Sequence, residues 1–144
     1  MITGEEKIKK DQLIKKNMNQ KEIENVVSLE PIERYKYFIK KVADWETFFT
    51  LLDEDGEYVL SELDDYKLLP LWSAKEYAEL CKIGGWEKYT IKELSLDDLE
   101  DEIIDFITEN DCLINVFPIY DKTGFVVNLQ EFTRDLNDEL EKIQ

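Results

Sequence analysis

The sequence predicts an α+β fold, a mainly antiparallel sheet with two hairpins and about four helices packed on it. Three observations predict it. Segments whose apolar residues recur at helical spacing alternate with short runs rich in Thr, Val, Phe and Leu. Two turn words, Asp53-Glu54-Asp55-Gly56 and Asp121-Lys122-Thr123-Gly124, lie between extended runs and force antiparallel pairing. The 144 residues are 43% hydrophobic and include seven Tyr, seven Phe and three Trp, enough bulky material for one real core.

The elements follow in order. Residues 1–25 form a polar extension, helical or frayed, because Ile8, Leu13, Ile14 and Met18 make too thin a stripe to dock firmly. A single domain is expected over 26–144. Pro31 suits a first helical turn, and Ile32, Tyr35, Phe38, Ile39 and Val42 predict a helix over 30–43. Glu46 to Leu52 reads as a strand. The Asp53 turn then returns the chain into an extended run from Glu57 to Ser61, the first hairpin. Lys67 to Trp72 is a third strand. Pro70 has no N–H for a ladder, which predicts an edge or a bulge.

Ser73 with Glu76 reads as a capping box. Ala74, Tyr77, Ala78 and Cys81 share one helical face, and Gly84-Gly85 closes that helix. Trp86 to Leu94 predicts a fourth strand. Ser95 with Asp98 opens a helix with Leu99, Ile103, Phe106 and Ile107 inward. Cys112 to Ile119 is a strongly apolar strand, and the Asp121 turn leads into Phe125 to Val127, the second hairpin. Asn128 with Glu131 caps a last helix carrying Leu129, Phe132, Leu136, Leu140 and Ile143.

Several words stand in a particular order. They are Arg34-Tyr35-Lys36-Tyr37-Phe38, Asp44-Trp45-Glu46 with Leu51, and Asp55-Gly56. Leu69-Pro70-Leu71-Trp72, Glu76-Tyr77-Ala78 and Cys81 follow. Val116-Phe117-Pro118 and Gly124 with Val126-Val127 complete the set. Over about residues 26–142 the chain resembles the bacterial family catalogued as domain of unknown function 2750. Members often carry Pro after the Trp, where this chain has Ser73. The resemblance implies a small cytosolic bacterial domain and carries over no catalytic residue.

Charge narrows the function. Thirty-four acids against eighteen bases leave a net charge of −16, with no histidine. Residues 93–144 alone hold fifteen acids and three bases. A nucleic-acid binder needs clustered Lys and Arg, so that class is excluded. Without histidine the chain has no side chain whose ordinary pKa lies near 7 and no imidazole for a metal. Cys81 and Cys112, with thirty residues between them, make neither a disulfide framework nor a ligand pattern, and point to free thiols in the cytoplasm. Met1 to Lys16 lacks the apolar core of a signal peptide. No apolar run approaches spanning length, so no membrane contact is expected.

Candidate chemistries are weighed on residue types. Asp53, Asp55 and Gly56 fail as a calcium loop: glycine is not at position six and position twelve is Asp64. Cys81 has no histidine to activate it and lies on a core face. Five glycines form no phosphate loop. No catalytic, metal or cofactor residue is assigned, and a non-enzymatic role is expected.

The sharper expectation is a binding protein, immunity-type or a nucleic-acid mimic, whose acidic face meets a basic protein partner. Trp86, Glu87, Asp97, Asp98, Glu100, Asp101 and Glu102 are its candidate contact residues, an aromatic beside an acidic first helical turn. Two other readings stand beside it. One is a housekeeping or structural module that self-associates through the N-terminal segment. The other is a small-ligand binder or enzyme working with carboxylates and aromatics.

Overall fold

The structure, a computed structural model, describes residues 20–143. Residues 20–27 are helical (α1). Then come α2 (Pro31–Trp45), β1 (Thr47–Leu52), β2 (Ser61–Leu63), β3 (Tyr66–Leu71) and α3 (Lys75–Leu80). A 3-10 turn (Gly84–Trp86) leads to β4 (Thr90–Ser95). Helix α4 (Leu96–Asp98) relaxes through a π turn (Leu99–Ile103) into α5 (Ile104–Asn110). β5 (Cys112–Val116), β6 (Phe125–Val127) and α6 (Leu129–Ile143) end the chain. This is the expected α+β class.

Four strands lie in the order β2-β3-β5-β6, parallel between β3 and β5 and antiparallel elsewhere. A separate antiparallel pair joins β1 to β4, from Thr47 opposite Ser95 to Leu52 opposite Thr90. A bridge joins the backbones of the two sheets, where Phe49 and Trp72 exchange N–H···O=C bonds of 2.8 and 2.9 Å.

The helices form as their patterns dictate. Pro31 opens α2, and Glu46 closes it in the left-handed conformation. Tyr35, Phe38, Ile39 and Val42 are buried, but Ile32 is 41% exposed, because Arg34 and not Ile32 completes the inner face. Helix α2 packs on α6 through Phe38 and Phe132, whose ring centroids lie 6.0 Å apart. The Asn128 side chain accepts the Glu131 N–H at 2.8 Å, the expected cap of α6, while Ile143 is exposed beyond the core. Ser95 and Asp98 form the expected reciprocal box, with bonds of 3.0 and 2.8 Å. Leu99, Ile103 and Ile107 are buried below it, with Phe106 partly covered.

Five expectations are corrected. The Asp53 turn exists, with the Asp53 carboxylate accepting N–H bonds from Asp55 and Glu57. Its return limb, however, makes only an isolated bridge, Leu52 to Tyr58. The long partner of β1 is β4. Strand β3 is interior, not an edge. Pro70 is tolerated there because the last β2 pair is Ser61 with Leu68, so no β2 residue needs its missing N–H. The Pro70 carbonyl instead accepts the Thr50 hydroxyl at 2.7 Å. The Ser73 box does not form. Ala74 is the extended cap residue, Lys75 starts the helix, and the buried Ser73 Oγ has no partner among the described residues. That helix ends at Leu80, before the glycines. Finally, Trp86 lies in a 3-10 turn, and the fourth strand begins at Thr90.

The expected extension meets the domain at its inner end. Val26 is buried, the Tyr37 hydroxyl donates to Glu22 at 2.9 Å, and Lys41 pairs with Glu22 at 3.4 Å. Residues 1–19 lie outside the described residues.

Candidate functional site

Strand β5 ends in a turn that gathers groups from distant parts of the chain. Phe117 is buried with a φ of 60°, a left-handed conformation rare for an aromatic residue. Four hydrogen bonds fix this turn. Its N–H donates to Leu71 O at 2.8 Å, and its carbonyl accepts Arg34 Nε at 3.1 Å. The next carbonyl, Pro118 O, accepts both Trp72 Nε1 at 2.8 Å and Cys81 Sγ at 3.3 Å. The Phe117 ring packs against Tyr77 (4.5 Å) and Tyr37 (6.1 Å), and the two tyrosine hydroxyls lie 3.0 Å apart.

Burial sets the electrostatics here. Arg34 is a buried cation whose guanidinium also donates to Leu29 O. It forms no ion pair among the described residues, and desolvation lowers its pKa against the pull of Glu30. Desolvation pushes the Cys81 thiol up to about 11. Cys81 is therefore a protonated donor at neutral pH, not a nucleophile. The Tyr77 hydroxyl is pushed up to about 12 and Tyr37 higher still, burial being the main cause. None of these groups is poised for proton transfer near neutrality.

The turn forms one side of a groove of about 400 Å³. Ile83 and Gly84–Trp86 make the facing wall, and Leu68 with Asn115 lies on the floor. Glu62, Asp121 and Lys122 are the charged residues lining it. Asn115 is 4% exposed, and its Oδ1 accepts the Gly124 N–H at 2.8 Å. That bond needs glycine at 124, where a Cβ would sit 2.1 Å from Val116 O and 2.7 Å from the Phe117 carbonyl carbon. A second hollow of about 420 Å³ lies between Tyr58, Leu60 and Phe106. Glu57 and Asn110 also line it; Tyr58 donates to Glu102 at 2.7 Å, and Asn110 to Phe106 O at 2.9 Å.

The expected contact residues are divided between these places. Trp86 is half-buried in the groove wall, edge-on to Trp72 at 6.5 Å, and Glu87 beside it is exposed. Asp97, Glu100, Asp101 and Glu102 are exposed on the α4–α5 helix. Asp98 is taken up by the cap, and the Ser95 N–H and hydroxyl hold its carboxyl below the usual range. None of those acids lines the groove with Trp86. Sequence reasoning missed Asn115, although one signal was present: a single amide inside the apolar run Leu113-Ile114-Asn115-Val116.

Most of the words behind the family resemblance meet at the Phe117 turn. Arg34, Tyr37, Trp72, Tyr77 and Cys81 all touch it, and Gly124 folds over it. The chain belongs to the family described as protein of unknown function (DUF2750), whose family model matches residues 35–136. No curated protein matches it.

Proposed function

We propose that this chain is a non-catalytic, acidic binding protein of the bacterial cytoplasm, immunity-type or a mimic of nucleic acid, that meets a basic protein partner. The helical run α4–α5 carries this reading. Asp97, Glu100, Asp101, Glu102, Asp105 and Glu109 are exposed there, and none forms an ion pair among the described residues. Two carboxylates about 6 Å apart in water repel by roughly 0.7 kcal/mol, so a row of them stores repulsion that a cationic surface relieves. The same field speeds encounter with a basic protein. The perturbed Cys81, Tyr37 and Tyr77 favour a role without proton-transfer chemistry. Two buried free thiols suit a reducing compartment.

Capture from native-host extract tests the reading. Wild type and a D97K/E100K/D101K variant are immobilised, with Asp98 kept because it closes the capping box with Ser95. Each exchange removes an acid from the start of the helix, at about 0.3–1 kcal/mol, so both melts are recorded. Wild type is expected to retain a basic protein that elutes as salt rises above about 0.1 M, where the screening length falls below about 10 Å. The folded variant should retain about tenfold less or weaker still, a difference of at least about 1.4 kcal/mol. Equal retention by both, or an acidic captured protein, contradicts the reading.

A further inference from the structure

We infer that the groove beside the Phe117 turn holds an extended segment of that basic partner, with a backbone carbonyl on the Asn115 amide and a Lys or Arg side chain against Trp86. This inference rests on the reading above and adds the place and chemistry of recognition.

The floor supplies the first requirement. Asn115 is almost completely buried, and its orientation is fixed because Oδ1 accepts the Gly124 N–H. Its Nδ2 has no hydrogen-bond partner among the described residues. It is not one of the fully buried unpaired side-chain atoms, of which Ser73 Oγ is the one among the described residues, so this fixed donor keeps an open side. Asn115 lines the groove, so this donor is offered to whatever occupies it. An amide N–H pair takes an acceptor, and a peptide carbonyl is a strong one.

The walls and rim supply the rest. Trp86, Ile83, Ile119 and Tyr120 give an apolar, aromatic lining, and Ile83 and Tyr120 are 43% and 61% exposed. Such a surface accepts the aliphatic stem of Lys or Arg, and the indole face attracts its charge. Glu62 and Asp121 stand at the groove without an ion pair among the described residues, against the single lining cation Lys122. A carbonyl acceptor, an aliphatic stem and a positive head together describe a Lys- or Arg-bearing peptide. A polyamine lacks the carbonyl, and a neutral peptide lacks the head.

Amide-detected NMR titration tests this. The probes are N-acetylated, C-amidated tetralysine, spermine with the same number of positive charges, and capped tetraglycine. Tetralysine is expected to shift the Asn115 side-chain N–H pair and the Trp86 indole N–H to saturation, about tenfold more tightly than either control. Gly85→Leu should lower that affinity about tenfold by filling the groove, since a Cβ at Gly85 meets nothing within 4 Å and the fold is not strained. Tetralysine shifts confined to α4–α5 overturn the groove while leaving the acidic reading intact. Equal binding of tetraglycine or spermine, or an undiminished Gly85→Leu, also overturns it. Saturable groove binding together with undiminished partner capture by D97K/E100K/D101K supports the groove and overturns the acidic helix face.

Discussion

Trp72→Ala is expected to remove about 3–5 kcal/mol of stability, the range for truncating a buried aromatic. Trp72 is fully buried and heads the largest side chains of the core. Its backbone forms the bridge to Phe49 that joins the two sheets, and its ring lies against Trp86. Its indole N–H also ties β3 to the Pro118 carbonyl. A domain of this size has about 5–15 kcal/mol to lose, so the variant should be unfolded in mild urea. Trp72→Phe separates packing from hydrogen bonding. It keeps a large ring, and Cys81 still donates to Pro118 O, so a smaller loss is expected. Urea unfolding followed by circular dichroism measures both. A Trp72→Ala loss under about 1 kcal/mol contradicts the account of the core, because truncating even smaller buried side chains costs more.

Gly124→Ala is the second large effect. The added Cβ would meet Val116 O at 2.1 Å and Phe117 O at 2.8 Å, and both are backbone atoms in a turn held by four hydrogen bonds. The chain at Gly124 must move away, which breaks its N–H bond to Asn115. Overpacking and a lost hydrogen bond together predict about 3 kcal/mol. Gly56→Ala is the control. Gly56 has a φ of 78° but nothing within 4 Å of an added Cβ, so strain alone applies, about 1–2 kcal/mol. A Gly124→Ala loss no larger than that of Gly56→Ala would show that the close approach is not a constraint.

The contrast between these glycines shows what local sequence carries. The Asp53 turn is written locally in Asx chemistry, and it forms as read. The reason for Gly124 lies eight residues back, in the carbonyl of Val116, and only the folded turn reveals it. Helices α2 and α6 and the Ser95 and Asn128 caps were legible because their signals span one or two turns. The Ser73 box failed for a tertiary reason. Trp72, anchored to Pro118 and Phe49, keeps the chain extended through Ala74, and the helix starts later. The pairing of β1 with β4 was invisible because the nearest turn proposes the nearest partner. Pro70 misled for a related reason: whether a neighbouring strand needs its N–H depends on where β2 stops.

The candidate site divides in the same way. Residues adjacent in sequence, such as Asp97 to Glu102, could be grouped by inspection. Trp86 lies close to them in the chain but faces Asn115 and the 118–123 turn instead. A groove assembled from β2, β3, β5 and two loops leaves almost no trace in any one segment. The single polar residue in an apolar strand is the trace that was there.

The claim at the centre of this account is that a field of unpaired carboxylates guides a basic protein onto this domain. The most direct measurement is the association rate constant with the captured partner, by stopped flow, across a range of ionic strength. The account predicts a fast rate at low salt that falls steeply, by about tenfold or more as salt rises past about 0.1 M, with dissociation changing much less. A rate that is flat across that range would contradict it.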